Sequence, residues 1–292
     1  MMMSSCWAKR RMLISTLPLA LVVATAAGCG ARMSNDPAPR VKEALALRAG
    51  GEGAGATAKA AVVTGTGWGT LKGTIKLAGN APEASYLSTS NKDGAVCGSQ
   101  VPNETLVVDP ASKGIANVVV FARKVSRVKE ELAKPPTAEA VFDQKGCLFL
   151  SHVLVVRTKQ PLILKNSDAV GHNTAGAPPG NPPFNPLLPA GSTAPYQFVK
   201  QLSSPSEATC SIHPWMKAYL MARDDPYFAV TKKDGTFEIP NLPAGEDIEF
   251  QVWHERATSL TAGKVAKGRV KLKLAENGTE DLQVDVPTAT FQ

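Results

Sequence analysis

Cys210-Ser211-Ile212-His213-Pro214-Trp215-Met216 sets a thiol, an imidazole and a thioether three residues apart in turn. Thirty-eight positions before Cys210, His172 stands in Asn166-Ser167-Asp168-Ala169-Val170-Gly171-His172-Asn173, just after the apolar run Leu162-Ile163-Leu164. Two imidazole nitrogens and a thiolate in a trigonal plane, with a weak axial thioether, are the donors of a mononuclear blue-copper electron-transfer site. A tight loop supplies Cys, His and Met in succession, and a strand end supplies the second histidine. Cys-x-x-His by itself has other readings. Haem attachment needs C-x-x-C-H, which is absent. A structural zinc wants a closed tetrahedral shell, for which Cys97, Cys147 and His152 are scattered candidates. A buried free thiol beside packed histidines would carry no chemistry at all.

The elements that must position these donors read as strands. Leu71 to Leu77, Tyr196 to Val199 and Tyr219 to Ala222 alternate apolar and polar residues, while Leu106-Val107-Val108, Val118 to Phe121, Val153 to Val156 and Leu162 to Leu164 are compact apolar runs. Gly, Pro, Asn and Asp separate them, and only Val125 to Ala133 suggests a short helix. Many short strands with regular turn signals predict an all-β chain built as a β-sandwich. Near Asp225 a second unit begins: Phe228-Ala229-Val230, a hairpin signal at Asp234-Gly235, then Phe237-Glu238-Ile239 and Ile248 to Trp253.

The first residues are set aside as a targeting segment. Lys9, Arg10 and Arg11 precede an apolar stretch from Met12 to Ala27, too short and wrongly flanked for a membrane span. It runs into Ala26-Ala27-Gly28-Cys29, which resembles the lipobox of bacterial lipoproteins and implies cleavage before Cys29 and its lipidation. Residues 30–64 are Ala/Gly-rich, a tether with an r.m.s. reach of roughly 30–35 Å. Export changes how the five cysteines are read. With Cys6 removed and Cys29 lipidated, Cys97, Cys147 and Cys210 remain. Parity in an oxidising compartment suggests a Cys97–Cys147 disulfide and leaves Cys210 unpaired. The net charge of +7 falls to about +4 without the three basic residues of the signal. No basic stripe with interleaved aromatics appears, so nucleic acid is not an expected partner.

The C-x-x-H-P-(aromatic)-M loop together with N-S-D-x-x-x-H-N resembles the cupredoxins over Leu162 to Met221, with the ligand spacing of amicyanin and of methylamine-utilisation-like exported proteins. The resemblance implies a Greek-key β-sandwich binding one type 1 copper through the imidazoles of His172 and His213, the Cys210 thiolate and, axially, Met216. Asn173 would hydrogen-bond the strand bearing Cys210, and Pro214 would stiffen the loop. In cupredoxins the loop histidine lies near the surface as an electron port, which puts Trp215 on a partner surface. The stretch T-K-K-D-G-T-F-E-I-P-N-L-P-A-G resembles prealbumin-like or carboxypeptidase-regulatory-like sandwiches. The expected order is a signal peptide (1–29), a tether (30–64), a cupredoxin-like copper domain (65–225) and a small second β-sandwich (226–292). The G-x-I-x-L run within Trp68 to Gly79 also suits an opening strand of that second type, which leaves open an inserted copper unit.

The expectation is a lipid-anchored protein of the bacterial envelope, facing the periplasm or exterior, that passes single electrons to and from a redox protein such as a c-type cytochrome or a dehydrogenase. Two other classes stay open: an envelope lipoprotein binding carbohydrate or protein, and a copper-storage or delivery protein. No paired carboxylates, nucleophile–base set or phosphate loop points to an enzyme. His152 and His254 read as structural.

Overall fold

Period-two burial makes the strands visible one by one. Along Trp68–Ala78, residues Gly69, Leu71, Gly73, Ile75 and Leu77 are buried while their neighbours are not. The computed structural model describes residues 65–257 and 260–291; the signal segment with Cys29 and the tether lie outside them. Residues 60–292 form one unit, and its described part is all-β.

Two four-stranded sheets frame the candidate site. One orders Thr193–Tyr196, Leu162–Asn166, Ala140–Lys145 and Leu148–Phe149; the other orders Ala175–Gly176, Ser206–Thr209, Lys217–Arg223 and Val153–Arg157. Between them lies a core that includes Phe142, Phe149, Leu162, Leu164, Leu220 and Met221. Two further sheets build a second core. Trp68–Ala78 lies between Thr236–Pro243, antiparallel, and Thr279–Pro287, parallel. Val119–Ala122 lies between Phe228–Val230 and Asp247–Trp253, with Arg269–Lys273 beyond.

These pairings revise the boundary expected at 225/226. Two strands from before the segment that carries the candidate ligands occupy inner positions in sheets otherwise made of residues after 226, so that segment is inserted between them. The reason lies in Val118 to Ala122, which is apolar at every position. Val118, Val120 and Ala122 face the C-terminal core, while Val119 and Phe121 face the core under the ligand-bearing sheets. A strand apolar on both faces needs a layer on each side. Asp234-Gly235 is likewise not a hairpin turn, because the strands it joins belong to different sheets. Gly235, at φ 80°, passes so close to its neighbour that a Cβ would lie 2.3 Å from the Ile75 carbonyl oxygen. Of the expected helix, only Glu130–Ala133 forms, and Leu106-Val107-Val108 contributes one isolated bridge rather than a strand.

His254 is buried in this region, with its ring edge-on to Phe291 at 5.2 Å and its Nδ1 accepting the Arg256 N–H at 3.2 Å. Burial pushes its pKa from 6.5 down to about 4. The unfolded chain therefore holds a proton that the folded chain releases between those values. The resulting stability is fully present above about pH 6.5 and is lost as pH falls through 4, a difference of about 3 kcal/mol. His254→Gln is expected to flatten the fall of the denaturation midpoint over that interval relative to the parent chain. Equal slopes in the two proteins would show that His254 does not drive it.

Candidate metal centre

Ser206–Thr209 and Lys217–Arg223 pair antiparallel up to Thr209 opposite Lys217, so residues 210–216 are the loop of a hairpin. Cys210 N–H closes it on the Met216 carbonyl (3.2 Å), and Met216 N–H turns it on the His213 carbonyl (2.9 Å). His172 enters from the short strand His172–Asn173, paired with Leu187–Leu188. Buried Asn166 organises that approach. Its Nδ2 donates to the carbonyls of Val170 (2.8 Å) and Leu188 (2.9 Å), and its Oδ1 accepts the Asp168 N–H (2.9 Å).

His172 Nδ1 and His213 Nδ1 lie 2.9 Å apart, and Cys210 Sγ lies 3.9 and 3.8 Å from them. A point equidistant from all three atoms is about 2.1 Å from each, close to metal–nitrogen and metal–thiolate bond lengths. All three residues are buried. The far side of each ring fixes its tautomer. His172 Nε2 meets Asp168 Oδ2 at 2.8 Å and His213 Nε2 meets Asp93 Oδ2 at 2.8 Å. Carboxylates only accept, so each Nε2 carries the hydrogen and each Nδ1 presents a lone pair. Two lone pairs facing at 2.9 Å repel unless a cation or proton sits between them. Histidine held by a carboxylate through its second nitrogen is the usual outer support of a metal ligand. The donors therefore fit a soft-to-borderline metal such as copper.

The electrostatics favour ligand-ready forms. Burial lowers the His172 pKa and the neighbouring His213 adds to this, against the pull of Asp168, so the ring is neutral. Burial would raise Asp168, but hydrogen bonds from Cys147 N–H, His172 and Gly146 N–H hold it below the usual carboxylate range. Those two N–H groups, at 2.9 and 2.6 Å, come from a two-residue turn in which Gly146 and Cys147 both have positive φ. This is the turn chemistry that joins tightly twisted strands.

Asn173 Oδ1 accepts the N–H of Ser211 (2.8 Å) and of Ile212 (3.3 Å) and lies 3.3 Å from Cys210 Sγ. It thereby pins the ligand loop to the His172 strand. Met216 is buried in the same core as Cys210. Pro214 is exposed, whereas Trp215 is half-buried, its ring 5.0 Å from that of His213 and its Nε1 donating to the Cys147 carbonyl at 3.1 Å. Cys97 and Cys147 form a disulfide, and Cys210 is the free cysteine among the described residues.

His213 departs from the cupredoxin expectation of a near-surface port. It is 0 % exposed, because Asp93 sits on its Nε2. Asp93 precedes the one-turn helix Gly94–Cys97, which lies between Tyr86–Ser88 and Gln100–Pro102, strands that among the described residues pair only with each other. The disulfide ties this flap to the turn at Cys147. Asp93, Asn166 and Asp168 were not marked as site residues by sequence. Asp168 carries a signal, four residues before His172, whereas Asp93 lies 120 residues from His213 and carries none.

No protein family and no curated protein matches the chain. Among solved structures, it is similar to a Cu-containing nitrite reductase from Thermus scotoductus SA-01 at 22 % identity, TM-score 0.28, covering 33 % of this chain and 27 % of that one. It is also similar to a purple cupredoxin from Nitrosopumilus maritimus (19 % identity, TM-score 0.25, covering 30 % and 99 %) and to amicyanin from Paracoccus versutus (14 %, 0.27, covering 36 % and 97 %). The chain thus spans about a quarter of the nitrite reductase.

Proposed function

We propose that this chain is an exported, lipid-anchored type 1 copper protein that carries single electrons between redox partners, and is not an enzyme. One observation supports it above the rest: two Nδ1 lone pairs and one Sγ converge on a common point, while both Nε2 atoms are held by carboxylates. Bound copper would supply a reversible one-electron step between Cu(I) and Cu(II).

The chain's own residues would keep that step inexpensive in reorganisation. Asp168 and Asp93 hold the rings, Asn173 holds the loop of Cys210, and the fully buried donors exclude water. Met216, which closes the loop and is buried in the same core as Cys210, would be the fourth residue to hold the copper and would tune its potential. The proposed contact with a c-type cytochrome or dehydrogenase uses the rim of the site, where Pro214 is exposed and Leu187, paired with Asn173, is 68 % exposed. A small apolar rim suits a brief encounter. Lipid at Cys29 and the tether would hold the unit at the envelope.

Adding one equivalent of Cu(II) to the folded apoprotein is expected to give an intense visible thiolate-to-copper absorption. A fully loaded, folded and colourless sample would reject the proposal.

A further inference from the structure

His152 repeats the arrangement seen at His172 and His213, at a place the copper proposal does not use. It stands immediately before the strand Val153–Arg157, with its side chain only 6 % exposed. Its Nε2 is hydrogen-bonded to Glu255 Oε1. The same carboxylate receives Lys217 Nζ at 3.1 Å and the Tyr219 hydroxyl at 3.3 Å, so it is fixed and accepts only. The hydrogen on Nε2 is therefore fixed, and in the neutral ring Nδ1 presents a lone pair. That Nδ1 is buried and has no hydrogen-bond partner among the described residues. The nearest charged atom facing it is Glu104 Oε2, 3.8 Å away, a second acceptor. A buried acceptor aimed at a carboxylate costs free energy unless a donor or cation lies between them.

Glu104 is also the point of access. Its side chain is 32 % exposed, and it lines a cavity of about 660 Å³ that is open to solvent, together with Tyr86, Lys233 and Arg256. Two metal bonds of about 2.1 Å each can bridge a 3.8 Å separation between donors. One imidazole nitrogen and one carboxylate oxygen, with water from the cavity completing the shell, suit a borderline divalent ion such as Cu(II) or Zn(II).

We propose that His152 Nδ1 and Glu104 form a second binding site for a divalent transition metal, reached from the exposed side of Glu104, with Glu255 as the carboxylate that orients His152. The site contains no thiol, so it is colourless by the thiolate criterion and independent of Cys210.

The test is equilibrium dialysis of the full chain against Cu(II), with and without Glu104→Gln, in both the parent and a Cys210→Ser background. In either background Glu104→Gln is expected to weaken one bound copper at least tenfold, without changing the visible absorption of the parent. His152→Gln, in protein verified as folded, should remove the same ion and its single-imidazole nitrogen coupling in the electron paramagnetic resonance spectrum. Equal stoichiometry and affinity with and without Glu104→Gln would overturn the site, as expected if water bridges the two groups instead. A loss that His152→Gln does not reproduce would also overturn it. A colourless parent that still loses one ion with Glu104→Gln would reject the blue-copper proposal and leave this one standing.

Discussion

Replacing Cys210 by Ser is expected to abolish the visible absorption of the copper-loaded protein completely, with the fold retained. A serine hydroxyl does not ionise at neutral pH, so no soft thiolate would remain to donate charge to the metal. The position tolerates the change structurally, because Cys210 Sγ lies 3.3 Å from Asn173 Oδ1 and a hydroxyl can make the same contact. Met216→Leu provides the contrast: the absorption is expected to stay and the reduction potential to move, since the thioether would be a weaker ligand than the thiolate and the imidazoles. Absorption spectra of the two loaded variants, with circular dichroism as the check on folding, decide this. An unchanged spectrum in Cys210→Ser would show that the thiolate is not a ligand.

The second large effect is expected from Cys97→Ala with Cys147→Ala. The cysteines are 50 residues apart, and opening a loop of that length is expected to lower stability by about 4 kcal/mol in the chain-entropy account. Denaturant midpoints of the parent and double variant measure that loss. A local consequence accompanies it. Among the described residues the flap carrying Asp93 has no sheet partner outside its own hairpin, and the disulfide is its covalent attachment at the His213 end. Without it the Asp93–His213 hydrogen bond loses its support and the ring becomes accessible. Copper should then pass to an added chelator at least several-fold faster at equal folded fraction. An unchanged transfer rate would show that the hairpin alone keeps the flap closed.

The parts of the site closest together in sequence were the most legible. Cys210, His213 and Met216 belong to one hairpin loop, so their spacing states their proximity directly. His172 was legible as a residue at the end of an apolar run. Its support was only half legible. Asp168 stands in the quoted motif, but the bond to Nε2 depends on a loop that Asn166 shapes with three carbonyl contacts. Nothing near Asp93 marks it, because its role follows from a flap folded across the site. Reading His213 as a surface port missed that flap for the same reason. In the fold, Leu71 to Leu77 and Val118 to Phe121 were recognisable as strands, but their partners were not. Parallel pairing of Trp68–Ala78 with Thr279–Pro287 spans more than 200 residues, and no local pattern records it.

By itself the sequence determined the donor types, their order around a tight loop, the all-β texture and the one cysteine in three that stays unpaired. These follow from spacing, alternation and parity, which are local or countable. Tertiary structure alone decided that the ligand-bearing sheets are inserted into the second sandwich, that carboxylates hold both histidine rings from behind, and that His213 is covered. Each of those depends on which buried faces and unpaired acceptors meet across long separations, and burial is a property of the assembled layers rather than of any segment.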